Sequence, residues 1–275
     1  YNSGKYIDRP FNSLMAQTYP NWEWVIVDDS NGDENFRNLV RLREKDPSRI
    51  RVYRSEKNSG VIGNVKQLAS SLCRGAYVVE MDHDDELTPV ALEYLVKAGK
   101  QFPDAGFFFS DFTEIHEDGR NFSYGDHFSL GYGSYRKQFD HKFKKWVNIC
   151  AASPINHMTI RYLVGCPNHY RAWRMTTFRE MGGWNPAFHV ADDYEIMARS
   201  FLHTRMVRIP VHSYYQYKNN GGNNHTLIRN KEIQKLWRTI SRHYNKQFNK
   251  RLIELTGSDP YFDNWENFKQ LNKCW

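Results

Sequence analysis

Twice in this chain a short apolar run ends directly on aspartate, and this repeated arrangement constrains the fold more than any other feature. Trp24-Val25-Ile26-Val27 leads into Asp28-Asp29-Ser30, and Tyr77-Val78-Val79-Glu80-Met81 leads into Asp82-His83-Asp84-Asp85. Compact apolar runs of this length, the first of them preceded by the turn signal Tyr19-Pro20-Asn21, read as strands buried on both faces. Ligands bind beyond the carboxyl ends of parallel strands, so an acid at that point is placed for chemistry as well as for a turn.

The stretches between supply the helices that such a sheet needs. Phe11, Leu14 and Met15 recur at helical spacing after Ile7; a second helix covers Phe36 to Glu44; Val61, Val65, Leu68, Ala69 and Leu72 mark a third, stopped at Gly75. Ile50-Arg51-Val52-Tyr53 and Gly106 to Ser110 read as further strands, and Thr88-Pro89 opens a helix carrying Leu92, Leu95 and Val96. This alternation predicts an α/β protein with a mostly parallel, doubly wound sheet flanked by helices. From about Thr113 to Val147 the periodicity is lost, which predicts a long functional loop. Ile233, Leu236, Trp237, Ile240 and Tyr244 form an apolar stripe, with Lys231, Lys235, Arg238, Arg242 and Lys246 on the other faces, as expected of a terminal helix packed on the domain.

Charge and composition narrow the function classes. Lys+Arg 38 against Asp+Glu 31 gives a net charge of +7, which suits an anionic ligand. The basic residues are spread along the chain without a nucleic-acid motif, so a nucleic-acid partner is not expected. No G-x-G-x-x-G follows a strand, which removes a nicotinamide-binding reading. There is no apolar run of about twenty residues, so no transmembrane segment is expected, and Tyr1 to Pro10 is too polar for a secretory signal core. Cys73, Cys150, Cys166 and Cys274 lack the paired short spacings of zinc sites or disulfide frameworks, which favours a reducing, cytoplasmic or membrane-peripheral setting.

Three acidic groups carry the candidate chemistry. Asp28 and Asp29 can accept hydrogen bonds from a nucleobase or ribose, or can simply hold a turn. Asp82, Asp84 and Asp85 lie close enough to repel unless a proton or cation offsets them; Mg2+ or Mn2+, which favour oxygen ligands and bridge carboxylates to phosphates, is the natural counter-ion, with a solvated acidic turn as the alternative. Asp192-Asp193-Tyr194-Glu195 starts a helix, where acids are stabilised by the helix dipole and where a fixed carboxylate can also act as a general base. His157 and His169 read as packed or surface histidines.

Together, Leu14-Met15-Ala16-Gln17-Thr18-Tyr19-Pro20-Asn21-Trp22-Glu23, Val25 to Ser30, Asn58-Ser59-Gly60, Gly75-Ala76-Tyr77 and Asp82 to Pro89 resemble the nucleotide-binding half of the family 2 glycosyltransferases. The resemblance continues through Arg171-Ala172-Trp173-Arg174, Met181-Gly182-Gly183-Trp184 and Asp192-Asp193, covering roughly residues 1 to 230. It implies a GT-A fold and inverting transfer from a nucleotide diphosphate donor, a UDP-sugar, to a glycan or protein hydroxyl, with Mn2+ or Mg2+ as cofactor. It also implies that Asp29 contacts the uracil, with Asp28, Lys66 and His83 on the donor side. Asp82 and Asp84 form the D-x-D element at ribose and metal, and Asp193 is the catalytic base.

The chain departs from the family pattern at several points. Lys66 stands where an arginine is usual and Asp192 where a glutamate is usual. Tyr217-Lys218-Asn219-Asn220 replaces a Tyr-Arg-x-His motif, leaving His225 as the candidate metal ligand, with a surface histidine as the alternative. The family's opening strand, which leads into a Tyr-Asn pair, has no counterpart before Tyr1-Asn2. The expected organisation is a nucleotide-sugar-binding half (1–112), an acceptor and catalytic half (113–228) and a helical segment (229–275), with the aromatic-rich stretch Phe122 to Trp146 meeting the acceptor. These departures leave a degenerate sugar-nucleotide or glycan-binding module as the alternative function.

Overall fold

In a computed structural model of the protein, the described residues are 1–123, 134–153, 155, 159–162, 167–218 and 228–257. The strands are β1 (Trp24–Asp28), β2 (Ile50–Arg54), β3 (Tyr77–Glu80), β4 (Glu86–Leu87), β5 (Ala105–His116), β6 (Ser134–Asp140), β7 (Lys145–Ala151), β8 (Arg171–Arg174) and β9 (Arg205–Lys218). The helices are α1 (Asp8–Met15), α2 (Asp33–Lys45), α3 (Ile62–Ser71), α4 (Ala91–Gln101), α5 (Thr159–Tyr162), α6 (Met175–Glu180), α7 (Asp192–His203) and α8 (Asn230–Thr256). None of the described helices is long and apolar enough to cross a membrane.

β1 and β2 form a parallel two-stranded sheet, covered by a small core of Ile7, Phe11, Leu39, Leu42 and Ile50. The larger sheet runs β3-β8-β5-β7-β6, with β9 parallel to β5 and antiparallel to β4. Among the described residues β1 pairs only with β2, and β3 only with β8. β5 is the spine: successive side chains alternate sides, sending Phe107 and Phe109 into one core with Trp173, Tyr194 and Phe201, and Phe108 and Phe112 into another with Leu92, Leu95 and Tyr214. Ile240, Phe248 and Leu252 of α8 close the first of these cores.

The α/β class holds, with one difference in the sheet, which is mixed where a mostly parallel one was expected. β3 to β8, β5 to β8, β5 to β7 and β6 to β7 all pair antiparallel. β6 and β7 are joined as a hairpin, which makes them antiparallel, whereas β9, which follows α7, runs parallel to β5. Much of the stretch expected as a loop is strand as well. β5 continues through Thr113 to His116, and β6 and β7 form a hairpin whose outer strand is mostly exposed, so its residues are too polar to announce a strand.

Candidate active site

The turn after β1 is built from buried acids. Asp28 Oδ1 accepts hydrogen bonds from the Ser30 amide at 3.1 Å and Asn35 Nδ2 at 2.8 Å. Asp28 Oδ2 is buried without a partner. Asp29, 4% exposed, receives the Ser59 amide and hydroxyl, each at 3.0 Å, and Asn58 Nδ2 at 3.2 Å. Asp29 thereby fixes the 58–60 turn, where Gly60 takes a left-handed φ of +64°. All but one of the hydrogen bonds to this carboxylate from described residues fall on Oδ2, so Oδ1 keeps accepting capacity.

Beyond β3 the acids crowd. Asp85 is 2% exposed and accepts from the Tyr214 hydroxyl at 2.9 Å and the Tyr217 amide at 2.8 Å. Burial, then the charges of Asp82 and Asp84, push its carboxyl well above the usual range. The Asp82 carboxylate accepts no hydrogen bond from a described residue; burial, Glu80 and Asp84 raise its pKa, while Lys66 and Arg171 oppose the rise. His169 stacks flat on Tyr214, 4.4 Å between centroids at 4°, and burial holds its imidazole neutral. Ligand atoms of Asp82, Asp85 and His169 lie within 4.8 Å of one another. Two oxygen donors and a neutral imidazole, with one carboxylate lacking a donor, are a set that a hard divalent cation fits.

This grouping differs from the expected one of Asp82, Asp84 and His225. His225 lies outside the described residues. Asp84 stands in the same turn, its carbonyl accepting from Arg9 Nη1 at 3.1 Å, and the His83 pKa is lowered by burial. Asp85 and His169 are additional candidates. Asp85 was already legible as a neighbour of the D-x-D element, whereas nothing local in Pro167-Asn168-His169 signals a ligand.

A charged network joins this turn to α7. Lys66 Nζ is 2.6 Å from Glu80 and 2.8 Å from Asp192, beneath the Trp184 ring at 4.4 Å. Arg171 Nη1 is 2.9 Å from Glu80, and its Nη2 is 3.1 Å from Asp193. Burial works against the Lys66 charge, but Asp192, Glu80, Asp82 and Asp193 outweigh it, so its pKa is raised. For Glu80 burial is likewise outweighed, by Lys66 and Arg171, and its pKa is lowered. The Lys66 ammonium is thus engaged with two carboxylates at once.

Asp193 is the most accessible acid of this network, its side chain 29% exposed. Oδ1 accepts the Tyr194 amide at 2.8 Å and Oδ2 accepts from Arg171. The residue before the helix, Ala191, holds a left-handed φ of 58°, a strained state for a non-glycine residue that turns the chain into α7. Asp192, Asp193 and Glu195 then occupy the first turn, where the helix dipole favours negative charge.

The α/β fold, with buried acids after β1, after β3 and at the head of α7, is of the GT-A type. The family described as Glycosyl transferase family 2 matches residues 1–166, and the chain belongs to it. Chondroitin synthase of Escherichia coli is 41% identical over 93 residues, covering 34% of this chain and 13% of that protein. The chain spans between 13% and 46% of the length of three curated relatives. In fold it resembles S. aureus TarS, solved with UDP-GlcNAc, at TM-score 0.64 and 17% identity over 100% of this chain and 77% of that one. It also resembles the mannosyltransferase PcManGT from Pyrobaculum calidifontis, solved with GDP-Man and Mn2+, at TM-score 0.55 and 17% identity over 100% and 71% of the two chains.

Proposed function

We propose that this chain transfers a hexose from a UDP-sugar to an acceptor hydroxyl with inversion at the anomeric carbon. The observation that carries the reading is the network Asp193–Arg171–Glu80–Lys66–Asp192, which joins the one accessible acid of α7 to the strand that leads into Asp82. Asp29, through its spare oxygen, meets the base of the donor. Asp82 and Asp84, with His169 and Asp85 close by, would hold Mn2+ or Mg2+, whose charge would offset that of a departing diphosphate. Asp193 accepts the acceptor's proton while the acceptor oxygen forms its bond to the anomeric carbon and the bond to the diphosphate oxygen breaks. Arg171 fixes the orientation of that carboxylate. Residues 1–112 form the donor half in this reading and 113–228 the acceptor half, with 229–275 as a helical support.

The solved relatives with UDP-GlcNAc and with GDP-Man and Mn2+ support nucleotide-sugar binding on this fold. The degenerate-module alternative rests on Lys66 and on the replaced Tyr-Arg-x-His motif; Lys66 is paired with Asp192, and the intact acids after β1 and β3 support the transferase reading over it. The deciding experiment is hydrolysis and transfer across a panel of UDP-sugars, with UDP calorimetry in Mn2+, Mg2+ or EDTA. Donor turnover that needs the cation is expected. UDP binding without turnover of any donor would return the module reading, and no UDP binding would sink both.

A further inference from the structure

The hairpin of β6 and β7 presents an exposed aromatic pair within a basic surface, and the transfer chemistry uses none of it. Strand pairing sets Tyr135, Lys137 and Phe139 opposite Cys150, Asn148 and Trp146, so these six share one face. At one end Tyr135 and Cys150 pack into the core with Phe112 and Tyr214. At the other, Phe139 and Trp146 meet edge to face, 6.0 Å between centroids at 78°, and the His141 ring is 5.4 Å from Phe139. Phe139 nevertheless stays 42% exposed and Trp146 61%. Ordered, paired rings left this open to solvent mark a contact surface rather than a core.

The charge around the pair has one sign. The hairpin carries Arg136, Lys137, Lys142, Lys144 and Lys145 against a single acid, Asp140. Asp140 is buried and occupied by the Tyr215 hydroxyl at 2.5 Å and by the amides of Lys142 and Phe143. Arg136 is held by Asp111 and Lys142 by Glu86. Lys137, Lys144 and Lys145 make no ion pair among the described residues. The Lys142 to Glu86 contact holds the hairpin's turn beside β4, and Tyr135, on the face of the aromatic pair, packs in one cluster with Tyr214, whose hydroxyl donates to Asp85, so this face runs up to the candidate active site.

We propose that the Phe139–Trp146 face is an acceptor subsite, and that the acceptor is an anionic glycan chain. The apolar face of a pyranose ring stacks on Trp146 and Phe139, while carboxylate or phosphate substituents along the chain pair with Lys137 and Lys144. The uniform positive charge matches a polyanion, the transferase reading calls for a hydroxyl-bearing sugar chain on a face that runs up to the site, and the oligonucleotide probe below separates this from a nucleic acid. The proposal rests on the transferase reading above and adds the acceptor class to it.

The test uses the full chain in affinity electrophoresis through gels containing polygalacturonate, dextran or no polymer, with a poly(dT) oligonucleotide as a parallel probe. Retardation by polygalacturonate but not dextran is expected, about tenfold weaker in the double variant Phe139→Ala/Trp146→Ala and weaker also in Lys137→Glu/Lys144→Glu. These residues are exposed, so both variants should melt like the parent and bind UDP with unchanged affinity. The proposal is overturned by a parent chain that polygalacturonate does not retard, or by retardation that survives loss of both rings. Tighter binding to poly(dT), or a concentration-dependent dimer that the ring variant dissolves, overturns it equally. A parent that neither binds UDP nor turns over a donor fails the transferase reading instead, whatever the gels show.

Discussion

Lys66 and Asp192 are in contact, ammonium to carboxylate at 2.8 Å, and they are two of the positions at which this chain departs from the family pattern it resembles. An arginine and a glutamate are usual there; the shorter cation meets the shorter acid, with Glu80 completing the arrangement. Two departures that look like separate losses along the chain are one adjustment in space, and each residue depends on the other to balance a largely buried charge.

Removing the cation should therefore strand two acids. Lys66→Met is expected to lower stability by roughly 3 kcal/mol, toward the lower end for breaking a buried pair because the Lys66 side chain keeps 22% of its exposure. Urea unfolding of Lys66→Met, Asp192→Asn and the double variant measures the coupling. An interaction energy below about 0.5 kcal/mol would show that the pair is incidental.

Asp193→Asn keeps the size of the side chain and its bond from the Tyr194 amide but removes the proton acceptor. Transfer should fall by at least about 100-fold, with UDP affinity within twofold of the parent in calorimetry. Parental transfer rates in this variant would remove Asp193 from the mechanism.

Gly63 lets α3 lie directly on the segment before α7. Its amide donates to the Phe188 carbonyl at 3.0 Å, and a Cβ at this position would press on the backbone oxygens of Asn185 and Phe188, the latter at 2.8 Å. Those atoms are main chain and cannot turn aside, so Gly63→Ala should destabilise by about 1–3 kcal/mol. A thermal midpoint equal to the parent's would mean that the 185–188 segment yields freely.

His212 gives the stability a pH dependence of known sign. It is 7% exposed, its Nε2 has no partner among the described residues, and burial, assisted by the positive charge of Arg136, lowers its pKa to about 4. Between that value and the ordinary histidine range the unfolded chain binds the extra proton, so stability is full above about pH 6.5 and falls as the pH drops toward 4. This one group should remove about 2 kcal/mol between pH 7 and pH 5. The difference in unfolding free energy between those two pH values should be smaller in His212→Gln; an equal difference would place the sensitivity elsewhere.

Much of the donor side was legible because its signals are local. β1 and β3 announce themselves as apolar runs ending on acids, and the stripes of α3, α4 and α8 recur at helical spacing. The network behind Asp193 was not legible, because its contacts are long-range. Arg171 faces Glu80 in the β3–β8 register from 91 residues away, and an arginine in a four-residue strand says nothing of its partner. His169 joins the acids through the same strand pairing. The β6–β7 hairpin was missed for another reason: one strand lies at a sheet edge facing water, so its composition resembles that of a loop.

The separation of β1–β2 from the larger sheet has a consequence for handling the protein. β1 and β3 each carry a row of amides and carbonyls with no ladder partner among the described residues, and apart from Asp28 and Val78 their side chains are only half buried. Rows of this kind act as templates for any extended segment that reaches them. An added apolar peptide that docks as a strand on either row should therefore slow the hydrogen exchange of its amides.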